Sequence, residues 1–363
     1  MFELIFIIVI GLYFIQSLIF VIGTQKTFPK INANELPTAS VIVACRNEEH
    51  NILRCLSALN ELDYPEGKLE IIIVDDNSTD RTGNLIDDYI KDKTRFKKII
   101  TKKEIGKLKG KTNALANAIE IAKGEIILTT DADCAVDKNW AKTLVSYYQP
   151  DVAVVNGFTS QKFDGHFTGM QNLDFLYLLT VSSGTINLKK PLSSMGNNMS
   201  YRKSVYDEVG GYENIPFSVT EDFNLLIAIN ELKKYKIIYP MDSEGMVVSN
   251  PGKSIAELYH QKKRWAVGGL KAPLVGFFVV GTGFLTHLMI LLTPFFFSSS
   301  AIILILFKLL IDFQLLYFVT KKLNNEKAMK YFFTFQLYYI LYVVVLPIAV
   351  LLSKKVIWKG REY

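Results

Sequence analysis

Three long segments with almost no charge constrain this fold more than any other feature of the sequence. Residues 4–22 contain no charged side chain and are long enough to cross about 30 Å of hydrocarbon as one helix. Residues 274–320 are almost as apolar over more than twice that length, and residues 331–352 have the length of a further span. Charges occur throughout residues 25–271. The pattern therefore predicts a globular domain between an N-terminal membrane helix and a group of C-terminal membrane helices.

These segments predict four parts of the chain: an anchor at residues 1–24, a globular domain at 36–270, about three C-terminal membrane helices at 271–353 and a basic tail at 354–363. The chain opens without a basic stretch, and no small-x-small cleavage site precedes Lys26, which favours an uncleaved anchor over a signal peptide. Lys26 and Lys30 directly follow the first helix. By the positive-inside rule, they place the globular domain on the cytoplasmic side of the cell (inner) membrane.

The number of C-terminal spans is left open by the charges. Basic residues flank both ends of the long apolar region, so two spans with a turn near residues 298–300 satisfy the positive-inside rule. A span at 331–352 would then leave the basic tail outside, against the same rule. Four spans in total are favoured, and the alternative places residues 274–297 in the membrane interface. Lys308 and Asp312 are expected to face each other or a partner helix rather than lipid.

Charge and cysteine content exclude other classes of protein. The formal net charge is +6, but the basic residues are scattered or lie beside the membrane segments. This distribution predicts no nucleic-acid surface. Cys45, Cys55 and Cys134 show no C-x-x-C spacing, so neither a zinc site nor a disulfide framework is expected, in keeping with a reducing cytosol.

Strand and helix patterns alternate in the globular domain. Residues 40–44, 70–74 and 125–130 are short, apolar and rich in β-branched side chains, as in strands buried on both faces. The intervening stretches have helical patterns, at residues 48–62, 79–89 and 111–122. This alternation predicts an α/β fold with a parallel, doubly wound sheet. Ligands of such sheets bind beyond the carboxyl ends of the strands.

Polar clusters follow all three strands. The first strand leads into Arg46-Asn47-Glu48, the second into Asp75-Asp76, and the third into Asp131-Ala132-Asp133. Each cluster alone is weak evidence, because a D-x-D triplet arises by chance and the second cluster has the composition of a turn followed by an N-cap. Their shared place at one edge of the sheet indicates a binding site.

The chemistry of these clusters suits a metal-bound diphosphate. Two carboxylates one residue apart can hold a hard divalent ion, Mg²⁺ or Mn²⁺, and leave room for phosphate oxygens. Lys107, Lys109 and Lys111 lie at the start of the third helix, where phosphate binds well. The sequence lacks G-x-x-x-x-G-K-[ST] and has no G-x-G-x-x-G after the first strand, which argues against a P-loop nucleotidase and a dinucleotide oxidoreductase.

Seven motifs in order resemble family 2 glycosyltransferases with the GT-A fold, whose sheet is Rossmann-like and mostly parallel. They are VIVACRNEE (41–49), IIIVDDNSTD (71–80), GKTNAL (110–115), TTDADC (129–134), GNNMSYRK (196–203), TED (220–222) and QKKRW (261–265). The resemblance covers roughly residues 38–270. It is strongest to membrane-integrated members such as cellulose, hyaluronan, chitin and poly-N-acetylglucosamine synthases and ceramide glucosyltransferases.

The resemblance implies a donor site for a UDP-sugar. Glu48 and Asp76 would hold the uridine, with Asp75 beside them. Lys111 would approach the diphosphate and Asp131 the ribose. The implied metal ligands are Asp131 and Asp133, holding Mg²⁺ or Mn²⁺.

The resemblance also implies the transfer machinery. Asp222 would be the general base that deprotonates the acceptor hydroxyl, and Arg264 would counter the charge of the leaving UDP in a single inverting displacement. Gln261 would close over the diphosphate with Arg264, and the acceptor would meet the side chains of Glu221, Trp265 and Asn198.

Some motif positions depart from the family pattern. Ala44 and Arg46 stand where Pro and Tyr are frequent, and Lys262 stands where a second Gln is frequent. The contacts to the nucleotide base are therefore less fixed by the resemblance than the metal site is.

Other interpretations of the same residues remain open. Thr220-Glu221-Asp222 also has the pattern of a helix start, and QKKRW that of a juxtamembrane basic cluster with an interfacial Trp. His166 and Asp174 receive no catalytic role, and residues 166–186 are expected as a helix on the membrane face or as core.

The leading function is sugar transfer to a membrane-associated lipid or growing glycan. One alternative is a processive polysaccharide synthase. Another is a non-catalytic nucleotide-sugar-binding membrane protein, which would not need Asp222 or Arg264.

Overall fold

A computed structural model of the chain describes residues 1–101, 104–216, 218, 220–270, 272–358 and 361–362. Residues 359, 360 and 363 of the predicted basic tail lie outside the described residues. The chain divides into two units, each of which packs around its own core. The sheet unit consists of residues 27–160 and 194–250, and the membrane-helix unit of residues 1–26, 161–193 and 251–363.

Strands and helices are numbered in chain order. The strands are β1 Ala39–Cys45, β2 Leu69–Asp75, β3 Phe96–Ile100, β4 Ile126–Asp131, β5 Ala135–Val136, β6 Val152–Asn156, β7 Thr159–Gln161, β8 Met199–Arg202, β9 Lys236–Ile238, β10 Val247–Ser249, β11 Ile357–Trp358 and β12 Arg361–Glu362. The α-helices are α1 Phe2–Thr24, α2 Ile52–Asn60, α3 Thr82–Ile90, α4 Gly110–Ile121, α5 Trp140–Ser146, α6 His166–Asn187, α7 Lys203–Glu208, α8 Glu221–Glu231, α9 Ile255–Gly269, α10 Leu274–Leu292, α11 Ser299–Lys322 and α12 Phe332–Leu352.

The main sheet of the sheet unit has the strand order β3-β2-β1-β4-β8-β6-β9. Strands β1 to β4 pair in parallel, whereas β8 runs antiparallel to both β4 and β6. Val41, Ile42 and Val43 of β1 are fully buried, because helices and loops cover both faces of the central strands. The predicted α/β class with a mostly parallel sheet is confirmed. A smaller sheet has the order β5-β10-β7.

The helices α2 and α3 begin later than the sequence patterns predict. Residues 48–51 form a turn before α2, and α3 begins at Thr82 rather than at residue 79. Asn47 and Asn77 lie just ahead of the predicted helix starts with positive φ (53° and 55°), a conformation that asparagine tolerates in turns. The segments between strand and helix are therefore longer, and they carry the polar clusters.

Four helices of the membrane-helix unit are long and apolar enough to cross a membrane: Phe2–Thr24, Leu274–Phe295, Ser299–Lys322 and Glu326–Leu352. The number of candidate membrane spans is thus the four that the sequence favours. The predicted turn near residues 298–300 is confirmed, because α11 begins at Ser299 and the Ser298 hydroxyl accepts a hydrogen bond from the Ala301 amide at 3.1 Å.

Lys308 and Asp312 of α11 are completely buried within this unit. The Lys308 ammonium lies 2.9 Å from Asp312 Oδ2 and donates to Gln336 Oε1 of α12 at 2.7 Å. Asp312 also accepts hydrogen bonds from Gln336 Nε2 at 2.8 Å and from the Tyr13 hydroxyl of α1 at 2.7 Å. The prediction that these two side chains face each other or a partner helix rather than lipid is confirmed. A charged side chain in lipid would be costly, which favours this arrangement.

Residues 166–186, which the sequence predicts as a helix on the membrane face or as core, form α6. Most side chains of this helix are buried. It packs against α1 where Gly23 and Gly184 meet, and a Cβ atom on either glycine would overlap the backbone of the other helix. Small residues at a crossing allow such a close approach of two apolar helices.

Residues 161–193 and 251–270 belong to the membrane-helix unit, although the sequence places them within the domain 36–270. The packing units and the predicted domains therefore have different boundaries. The sequence-based domain boundaries stay a prediction about function, because they follow motifs and apolar segments rather than packing.

Candidate active site

The carboxyl ends of β1, β2 and β4 lie side by side. Cys45 is in register with Asp75, and Ala44 with Asp131. Because the three strands are parallel neighbours, the polar clusters that follow them meet at one edge of the sheet. The structure thus brings together the first three predicted motifs.

The loops after β1 and β2 hold each other through backbone amides. The Asn47 amide donates to Ser78 Oγ at 3.0 Å, and the Glu48 amide donates to Thr82 Oγ1 at 2.8 Å. Asp75 supports the second loop, since its buried carboxylate accepts from the Ser78 amide at 2.9 Å. The predicted donor residue Asp75 therefore shapes the loop on which its neighbours stand.

Arg46, a departure from the family pattern, has a local partner. Its guanidinium lies 3.8 Å from the carboxylate of Asp76, which is buried. Asp76, which is predicted to hold the uridine, thus pairs with Arg46 of the neighbouring loop.

Lys111 lies at the centre of the site, in the first turn of α4. Its ammonium lies 2.7 Å from Asp131 Oδ1 and 3.3 Å from Glu221 Oε1. Burial lowers the pKa of Lys111, but the charges of Asp131 and Glu221 outweigh it and raise the pKa above its ordinary value. Lys111 is therefore a permanent cation between the end of β4 and the start of α8.

Asp222 follows Glu221 in the first turn of α8. Its Oδ2 accepts a hydrogen bond from the Gly196 amide at 2.5 Å, and its Oδ1 accepts from the Phe223 amide at 2.8 Å. Burial and the charge of Glu221 raise the pKa of Asp222 to about 6, although Lys111 acts in the opposite direction. A carboxylate with a pKa near neutrality has the property that general-base catalysis requires.

Asp131 and Asp133 stand at the end of β4, both partly exposed. Asp131 is paired with Lys111, and the Cys134 thiol donates to Asp133 Oδ1 at 3.5 Å. In the part of the chain that the structure describes, no cluster of three or more His, Cys, Asp or Glu side chains could hold a metal. Two carboxylates fit an Mg²⁺ or Mn²⁺ ion that takes its other ligands from substrate phosphates and water.

Asn198, one of the predicted acceptor residues, is held within the core of the sheet unit. It is fully buried, donates to the carbonyls of Phe158 at 2.7 Å and Gly245 at 3.0 Å, and accepts from Trp140 Nε1 at 2.9 Å. These bonds hold the segment that contains Gly196, the amide partner of Asp222. The hydrogen bond from the Gly196 amide to Asp222 was not predicted from the sequence, although the motif GNNMSYRK includes Gly196.

Gln261, Arg264 and Trp265 lie on α9, in the membrane-helix unit. Trp265 stacks on Phe175 of α6 with ring centroids 5.5 Å apart and an interplanar angle of 18°. Lys262 is buried. The interpretation of QKKRW as a juxtamembrane basic cluster with an interfacial Trp stays a prediction.

Comparison with known families agrees with these observations. The family model "Glycosyl transferase family 2" matches residues 40–210, and "Glycosyl transferase family group 2" matches residues 126–352, which is more than half of the chain. The chain belongs to family 2 of the glycosyltransferases.

Two similar curated proteins carry different names. The chain is 29% identical over 272 residues to a beta-monoglucosyldiacylglycerol synthase of Nostoc sp. strain PCC 7120, covering 72% of the chain and 55% of that protein. It is 29% identical over 260 residues to a poly-beta-1,6-N-acetyl-D-glucosamine synthase of Staphylococcus aureus, covering 69% of the chain and 59% of that protein. The matches thus span less than two thirds of these curated relatives.

A solved structure shares the fold over nearly the whole chain. It is a mannosyltransferase from Pyrobaculum calidifontis in complex with GDP-Man and Mn²⁺, with a TM-score of 0.60 and 18% sequence identity. The superposition covers 94% of this chain and 99% of that one. The fold is the GT-A fold that the sequence motifs predict.

Proposed function

We propose that this glycosyltransferase moves a sugar from a UDP-sugar to a lipid or growing glycan at the membrane, with inversion at the anomeric carbon. The observation that carries the proposal is the group of Asp222, Glu221, Lys111 and Asp131. It combines a base whose pKa is about 6 with a permanent cation at a helix start. Proton removal and phosphate binding are the two functions that such a transfer requires.

The donor would bind along the ends of β1, β2 and β4. Glu48 and Asp76 would hold the uridine, and Lys111 at the start of α4 would bind the diphosphate. Asp131 and Asp133 would hold Mg²⁺ or Mn²⁺, which neutralises charge on the departing diphosphate. Since Lys111 now pairs with Asp131, donor binding would require it to exchange carboxylate contacts for phosphate contacts.

Asp222 would act on the acceptor. Its carboxylate takes the proton from the acceptor hydroxyl while that oxygen forms a bond to the anomeric carbon and the bond to UDP breaks. Glu221 favours this reaction, because its negative charge raises the pKa of Asp222. The assignments of Gln261, Arg264 and Trp265 to the diphosphate and the acceptor rest on their motif.

A lipid acceptor is the first choice. Four apolar helices would keep the enzyme at the membrane surface, where lipid hydroxyl groups are concentrated. The synthase of Nostoc is named for a glucosyldiacylglycerol product, which supports this choice. The Staphylococcus relative is named for a polysaccharide, so polymer synthesis is the competing outcome. The sheet unit would face the cytoplasm, where nucleotide-sugars are made.

The test uses membranes that contain the full chain and a panel of radiolabelled UDP- and GDP-sugars. Products are separated into lipid-extractable and polymeric fractions, with Asp222→Asn membranes as the matched control. We expect label from one UDP-sugar in the lipid fraction of the wild type alone. Label only in polymer would identify a polysaccharide synthase, and label only from a GDP-sugar would refute the uridine assignment. Donor binding without transfer would favour the non-catalytic alternative.

A further inference from the structure

A buried ion pair includes one lysine of the QKKRW motif, and the proposed transfer does not use it. Lys262 of α9 pairs with Asp174 of α6, and these residues are 5% and 0% exposed. Burial raises the pKa of Asp174 and lowers that of Lys262, while each partner opposes the change in the other. Neither side chain belongs to the strand-end group described above.

Stability alone does not account for such a pair. Removing two charges from water costs several kcal/mol for each, and well-packed apolar side chains of similar size are often equally or more stabilising. What a buried ion pair adds is a defined geometry, because its two charges meet in only one arrangement of the two helices. The geometry of α6 and α9 should therefore be what Lys262 and Asp174 determine.

The ion pair has a second contact next to it. Asp174 and Phe175 are consecutive on α6, and they meet Lys262 and Trp265, which are three residues apart on one face of α9. The Lys262 ammonium also lies 4.7 Å from the centre of the Trp265 ring and 5.3 Å from that of Tyr342 on α12. Two attachment points fix both the rotation and the axial position of α9 within the membrane-helix unit.

Gln261 and Arg264 precede Lys262 and Trp265 by one residue each. They project about 100° around the helix from the attached face, so the rotation of α9 determines their direction. We propose that Asp174 and Lys262 are positioning residues that fix the direction of Gln261 and Arg264 for sugar transfer. This inference rests on the proposed role of those two residues toward the diphosphate.

The experiment compares four variants with the wild type in detergent: Lys262→Met, Asp174→Asn, the double variant, and the conservative Lys262→Arg. Lys253→Met, an exposed lysine ahead of α9, is the matched control. We expect kcat to fall at least about tenfold in both neutral single variants, because small misplacements of reacting groups are costly, while Lys262→Arg and Lys253→Met keep most of it. The KM for the donor should change much less than kcat.

The double variant separates positioning from stability. It leaves no unpaired buried charge, so its thermal stability should recover. Its kcat should stay low, because the Trp265 stack on Phe175 is then the only one of the two attachment points left to fix the rotation of α9. Recovery of kcat together with stability would overturn the inference. So would a kcat for Lys262→Met within about twofold of the wild type.

Fluorine NMR provides a readout that does not depend on activity. The chain contains three tryptophans, so fluorotryptophan-labelled protein gives three signals, and Trp265→Phe identifies one of them. Lys262→Met and Asp174→Asn should shift the Trp265 signal, whereas Lys262→Arg and Lys253→Met should not. An unmoved signal would overturn the inference. A wild type that transfers no sugar while its Trp265 signal responds as expected would instead refute the proposed function.

Discussion

The rate of sugar transfer should fall measurably on the acid side of its pH profile, because the Asp222 carboxylate becomes protonated there. Burial and the charge of Glu221 raise its pKa to about 6, whereas Lys111 opposes the rise. Only the ionised form can accept the acceptor's proton. About nine-tenths of the enzyme would carry that form at pH 7 and about one-tenth at pH 5, so kcat/KM should fall roughly tenfold between them. A carboxyl with the ordinary pKa of 3.8 would lose almost nothing over this range.

Asp222→Asn tests the same carboxylate by substitution. The Asn side-chain oxygen can keep one of the two hydrogen bonds from the amides of Gly196 and Phe223, and losing the other should cost about 1 kcal/mol of stability. The rate should fall at least about 10²-fold, because no base remains to take the acceptor's proton. Donor affinity should hardly change, since this step concerns the acceptor.

The assay measures kcat/KM from pH 5 to 8, because this quantity reports the free enzyme, and calorimetry measures UDP binding. The exposed Asp207→Asn variant is the control, and it should keep the rate and its pH profile. An acid limb near pH 4, or a UDP affinity that falls as far as the rate, would refute the base assignment.

Three further predictions concern the metal, the membrane core and the topology. Asp133→Ala should abolish transfer, and excess EDTA should do the same until Mg²⁺ or Mn²⁺ is restored; full activity in EDTA would contradict the metal assignment. Lys308→Met should lower stability by roughly 3–5 kcal/mol, because Asp312 keeps a buried charge, and Lys308→Met/Asp312→Leu should recover most of it in thermal melts. Single cysteines at Ser299 and Ser353 should both react with an impermeant reagent from outside the cell, and a Ser353 site that reacts only from the cytoplasm would rule out four full spans.

The sequence alone determined the parallel strands and the apolar helices. Both depend on local patterns: buried strands need continuous β-branched runs such as residues 70–74, and a span needs about 20 apolar residues. Because parallel strands end at one edge, the sequence also predicted that the clusters at Glu48, Asp76 and Asp131 would meet. The motif order was sufficient to predict the family.

Only the tertiary structure decided which side chains pair. Lys111 and Glu221 are far apart in sequence, and their ion pair depends on how the fold brings the start of α8 to the start of α4. The burial of Asn198 and the grouping of α6 with the apolar helices are likewise results of packing. The sequence showed Lys262 only as part of a basic cluster, because its partner Asp174 is far away in the chain. A side chain's charge is visible in the sequence, but its partner is fixed by long-range contacts.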